Sequence, residues 1–158
     1  MTDRSEPPAL TVLAVGNSIM GDDGVGLELL AALRVARPDP RIDYVEGGVG
    51  GLELLPVVQD CRRLLILDAV TGGEPGTVRQ LEGDQVPRLL QSKLSPHQVG
   101  LLDVLSAARL LRQEPEALAV VGVAPQSVEL RLGLSPVVAA AVPAAVARAA
   151  AVVDRWLA

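Results

Sequence analysis

Phenylalanine is absent from this 158-residue chain, and its aromatic side chains are limited to Tyr44 and Trp156. A core must therefore be assembled from Leu, Val, Ile and Ala. The shortage of rings also excludes a platform on which the bases of single-stranded nucleic acid could stack. Basic residues are in short supply as well: 14 Lys plus Arg against 19 Asp plus Glu leave a net charge of -5. No basic stripe stands out, so nucleic acid is not an expected partner. A single cysteine, Cys61, excludes an internal disulfide and any cysteine-rich metal site. Lying beside Asp60 and Arg62, it reads as a passive residue at the edge of a strand rather than as a nucleophile. The opening MTDRSEPPA lacks the apolar core of an export signal. The most apolar tract, Pro136 to Ala147, is shorter than the roughly 20 residues a membrane span needs and is interrupted by Pro143 and Arg148. The expectation is a cytoplasmic protein with no membrane contact.

A hydrophobic fraction of 49% rules out a disordered, solvating chain. The length suits one domain, expected over 10–158 behind a flexible leading segment 1–9. Short β-branched runs at 10–16, 41–48, 62–70 and 117–125 read as strands, the first, third and last buried on both faces. The alternating PGTVRQLEG at 75–83 reads as a half-exposed strand. Helical spacing follows at 22–36, 50–60, 94–112 and 134–157. The third helix opens on Ser95, Pro96 and Gln98, a capping-box pattern, and the last repeats the Ser-Pro start and carries a kink-prone Pro143. Strands alternating with helices predict a three-layer α/β/α sandwich around a mostly parallel twisted sheet of about five strands.

The stretch AVGNSIMGDDGVG at 14–26 joins the first strand to the first helix. A glycine-rich turn at that junction ordinarily cradles phosphate, but here Asp22 and Asp23 occupy the place of the anion. Asp68 closes the strongest strand, and His97, the sole histidine, opens the Ser-Pro helix. Each admits a plain structural role. One of the aspartates, Asp22 by its position, is expected to cap the helix; Asp68 could close a turn, and a lone histidine is commonly structural. Together, two carboxylates and one imidazole at the ends of elements that such a sheet brings together form a cation site suited to a divalent first-row ion. The spacing does not say whether that ion belongs to this protein or to its substrate.

Five segments in order, GNSIMGDDGVG, EGGVGGLELL, LILDAV, KLSPHQVGLLDVLSA and VVGVAPQSVELRLGLSP, resemble the nickel-iron hydrogenase maturation endopeptidases from about residue 10 onward. The resemblance implies a cytoplasmic protease that removes a C-terminal tail from the hydrogenase large subunit precursor after nickel has been inserted. It implies that Asp23, Asp68 and His97 bind metal and carry the catalytic function. The nickel would be supplied by the substrate, with no organic cofactor. The glycines Gly47, Gly48, Gly50 and Gly51 form a tight turn, and the resemblance suggests that their backbone also accepts the substrate tail. The chain contains no G-x-S-x-G elbow and no H-E-x-x-H, which leaves a metal ion polarising the scissile carbonyl or activating water. Three rivals stand beside this reading: a small aminopeptidase or amidase holding its own metal, a non-catalytic binder of the metallated precursor, and a nucleotide-binding module. The acidic turn counts against the last.

Overall fold

The computed structural model describes residues 8–49, 51–59, 61–86 and 96–158, with backbone alone at 96–100 and 102. Of the expected leading segment, residues 1–7 lie outside the described residues, as do Gly50, Asp60 and Ser95. Strand β1 (Leu10–Ala14) is wholly buried and leads through residues 15–20 to the 3-10 turn Gly21–Gly24, from which helix α1 (Val25–Ala36) continues. Strand β2 (Ile42–Glu46) leads through a second 3-10 turn, Leu52–Leu54, into the short helix α2 (Leu55–Gln59). Strand β3 (Arg63–Ala69) is buried at every position after its first. Strand β4 (Val78–Glu82), helix α3 (Pro96–Leu110), strand β5 (Ala117–Val123) and helix α4 (Pro136–Leu157) complete the chain.

The five strands form one sheet in the order β2-β1-β3-β5-β4. Four run parallel, and β4 pairs antiparallel with β5 at the edge. Strand β4 is half-buried at every residue, as its alternating sequence predicts for an edge. Side chains divide by the period-2 rule of a pleated strand. Leu65, Leu67 and Ala69 of β3 join a layer with α1 and α4, whereas Leu64 and Ile66 join a layer with α2 and α3. Helices therefore cover both faces, as an all-apolar parallel strand requires. With no phenylalanine, both layers are Leu, Val, Ile and Ala, and Tyr44 and Trp156 pack only partly buried against the first of them.

Helix α4 corrects the argument from length made on its sequence. It runs 22 residues with Pro143 inside it, long and apolar enough by composition alone to cross a bilayer. Its buried residues Val138, Ala141, Ala145, Ala149 and Val152 recur at intervals of three and four, so one face of this helix is spent on the core. The short helix expected at 50–60 is likewise a 3-10 turn followed by five α-helical residues.

Candidate functional site

The strand order sets where a site can form. From β1 the chain passes through α1 to β2 on one side, then returns through α2 to β3 on the other. The carboxyl ends of β1 and β3 are thus the topological switch point, where an open α/β sheet leaves a crevice. The two ends are tied directly, Val15 N–H donating to the Leu67 carbonyl at 3.0 Å. Asp68 follows Leu67, only 2% exposed, and its Oδ1 accepts the Ala69 N–H at 2.8 Å. Its parity is that of Leu64 and Ile66, the face covered by α2 and α3.

Asp23 reaches the same edge from the turn after β1. Gly16 makes this possible: it sits at φ +140°, and a Cβ there would come 2.2 Å from the Asp23 carbonyl oxygen. The half-buried Asp23 carboxylate is oriented by the chain that precedes it, Oδ2 accepting the Asn17 N–H at 2.9 Å. The glycine loop after β2 lies alongside, since Gly16 N–H donates to the Gly48 carbonyl at 2.7 Å and Gly47 N–H to that of Ala14 at 2.7 Å. Gly48 is exposed, with φ +58° and open space where a side chain would stand. Gly51 has φ +144° and faces the Glu53 carboxylate. The turn-forming role expected for these glycines is thus visible at Gly47, Gly48 and Gly51.

His97 lies in the first turn of α3. That helix ends at Leu110, shortly before β5 begins, and β5 runs parallel to β3. The helix therefore returns along the sheet with its first turn toward the carboxyl edge, and it packs against the 3-10 turn Leu52–Leu54. The His97 side chain lies outside the described residues, as does the Ser95 half of the capping box. Among the described residues, no three His, Cys, Asp or Glu side chains converge closely enough to hold a metal ion.

Asp22 does not cap α1, contrary to expectation. The N-cap position of α1 is Gly24, without a side-chain cap bond, and the first turn is 3-10 rather than α. The Asp22 carboxylate instead turns inward, 1% exposed, and accepts four hydrogen bonds from the loop between β5 and α4. Oδ2 accepts the N–H of Gln126 at 2.9 Å and of Ser127 at 3.1 Å, together with the Ser135 hydroxyl at 2.8 Å. Oδ1 accepts the Ser135 N–H at 2.7 Å. Burial by itself would raise this carboxyl, but the bonds from Ser135, Ser127 and Gln126 outweigh it and hold the pKa below the ordinary carboxylate value. Ser135 occupies the N-cap position of α4 with extended dihedrals, yet its hydroxyl serves Asp22 and makes no cap bond. Sequence reasoning missed this partnership. Its only trace was the Ser135-Pro136 pair, which reads locally as a cap. Cys61, by contrast, is as expected: buried at a strand edge, its thiol donating to the Val58 carbonyl at 3.3 Å.

The structure is thus a five-stranded α/β/α domain with acidic residues at its switch point, and comparison with known chains gives its class. The hydrogenase maturation protease family model matches residues 27–152. The chain is 41% identical over 135 residues to the hydrogenase 2 maturation protease of Escherichia coli (strain K12), covering 83% of this chain and 82% of that protein. The structure of the hydrogenase maturating endopeptidase HybD from E. coli superposes with a TM-score of 0.86 at 36% identity, covering 92% of each chain. The [NiFe] hydrogenase maturation protease HybD of Thermococcus kodakarensis superposes with a TM-score of 0.75 at 26% identity, covering 90% of this chain and 97% of that one. The chain belongs to the hydrogenase maturation protease family. It is an endopeptidase of hydrogenase maturation.

Proposed function

We propose that this endopeptidase removes the C-terminal tail of a nickel-iron hydrogenase large subunit precursor after nickel insertion, in the cytoplasm, recognising the metal centre through Asp23, Asp68 and His97. The observation that carries this reading is the meeting of the Asp23 turn and the end of β3 at one switch point, joined by the bond from Val15 N–H to Leu67 O. Two carboxylates and an imidazole are oxygen and nitrogen donors suited to a divalent first-row ion. Three such donors, without a thiolate, leave a shell that needs further ligands. An ion already held by the precursor's own ligands supplies them, so nickel is here part of the substrate. Bound there, nickel would polarise a neighbouring carbonyl or water. Asp23 is held in orientation by Asn17, and Asp68 by the Ala69 amide, so both carboxylates are preset before docking. In this proposal the glycines Gly47, Gly48, Gly50 and Gly51 accept the extended tail leading to the scissile bond through their backbone. The cut then follows only when nickel is present to complete the docking.

Two assays test the reading. Purified enzyme should carry little metal, and chelator-treated enzyme should cut nickel-loaded precursor and leave nickel-free precursor intact. Efficient cleavage of nickel-free precursor by enzyme that retains its own ion would favour an ordinary metallopeptidase instead.

A further inference from the structure

The loop that Asp22 grips carries the most exposed large apolar side chains near the site. Leu130 is 77% and Leu132 79% exposed, with Val128 and Ile19 about half exposed beside them. A single exposed leucine needs no explanation, but a group of them on one short loop does. This loop is also held firmly. Arg131 N–H donates to the Ile19 carbonyl at 2.9 Å, and Gly21 N–H donates to the Arg131 carbonyl at 2.9 Å. Met20 and Arg131 form a parallel bridge, and Asp22 accepts from residues at both ends of the loop. A buried carboxylate is thus committed to presenting leucines to solvent. The strand of contacts is continuous with the catalytic edge, because Ile19 to Asp22 is the same turn that carries Asp23.

We propose that the 127–133 ridge, braced by Asp22, is the surface on which the folded body of the precursor docks, beside the edge where its tail is cut. The occupant is an apolar patch of a protein surface rather than the tail itself, since the extended tail is assigned to the glycine loop. This proposal rests on the tail-removal reading above. A rigid ridge of aliphatic side chains gives affinity through desolvation at the centre of an interface, without contributing to bond cleavage. It should therefore appear in KM and not in kcat.

The test compares two double variants on nickel-loaded full-length precursor. One is Leu130→Ser with Leu132→Ser. The control is Val35→Ser with Leu110→Ser, equally exposed at 82% and 85% but at the far ends of α1 and α3. Both should keep the wild-type melting temperature. The ridge variant should raise KM about tenfold with kcat within about twofold, and the control should change neither. An unchanged KM in the ridge variant, or an equal rise in the control, would overturn the proposal. So would sedimentation showing a wild-type dimer that the ridge substitutions abolish, since a second copy would then cover the ridge. If wild-type enzyme itself fails to process the precursor, the tail-removal reading falls, and this proposal falls with it.

Discussion

Asp22 and Ser135 lie 113 positions apart in sequence and are joined twice, backbone N–H to Oδ1 at 2.7 Å and hydroxyl to Oδ2 at 2.8 Å. The pair locks the turn after β1 to the start of α4 and sits one residue from Asp23. Substituting Asp22 by Ala leaves the buried N–H of Ser135 and the part-buried N–H groups of Gln126 and Ser127 without their acceptor. The expected cost is roughly 2–4 kcal/mol, whereas Ser135→Ala, which removes one bond, should cost about 1 kcal/mol. Urea titration of the two variants distinguishes them, and equal midpoints would show that the brace carries no stability.

The same pair predicts an acid limb of stability. The folded-state pKa of Asp22 lies below its ordinary value of 3.8. A depressed carboxyl contributes stability that is fully present above the unfolded value and is lost as pH falls through the folded one. Melting temperature should therefore drop more steeply below about pH 4 in the wild type than in Asp22→Asn, which has no carboxyl to protonate. Parallel curves for the two proteins between about pH 5 and pH 2 would remove Asp22 from acid unfolding.

At the proposed metal-recognition site, Asp23→Ala, Asp68→Asn and His97→Ala should each lower processing of nickel-loaded precursor by roughly 100-fold or more. Asn at 68 keeps an oxygen for the Ala69 amide and nearly the same volume, so the fold should survive. Gel assays of the precursor, run beside circular dichroism, separate lost chemistry from lost structure. Full activity in any one variant removes that residue from the site.

Two glycines should respond in opposite ways. Gly16→Ala would place a Cβ 2.2 Å from the Asp23 carbonyl oxygen at φ +140°, so the turn must move. A loss of roughly 3 kcal/mol or more is expected, together with activity. Gly48→Ala faces open space and carries only the left-handed penalty at φ +58°, about 1 kcal/mol. Thermal melts of both proteins decide it, with comparable losses contradicting the close approach at Gly16.

Cys61 should have no part in cleavage. It is 6% exposed, and its thiol is engaged by the Val58 carbonyl. Alkylating reagents should leave native enzyme active, and Cys61→Ser should process precursor at close to the wild-type rate. Inactivation by alkylation together with lost processing in a folded Cys61→Ser variant would make the thiol functional.

The layers and the strands were legible in the sequence because they are dictated by local periodicity. The continuous apolar run of β3 and the alternation of β4 each follow from how many faces a strand buries, and that pattern is written in neighbouring residues. Asp22, Asp23 and Asp68 could be singled out for a similar reason, since they stand at or past the ends of recognisable strand segments where open sheets place their sites, and the resemblance then chose Asp23 over Asp22. Tertiary structure alone decided which of the two adjacent aspartates faces inward. Asp22 finds its donors at residues 126, 127 and 135, and no local pattern encodes a hydrogen bond across more than a hundred positions. The same holds for α4. Its composition permits a membrane span, and only the packing of Val138, Ala141, Ala145 and Ala149 against the sheet shows where its apolar face is used. Periodicity tells a segment which of its faces must be buried; only the assembled fold supplies the partner.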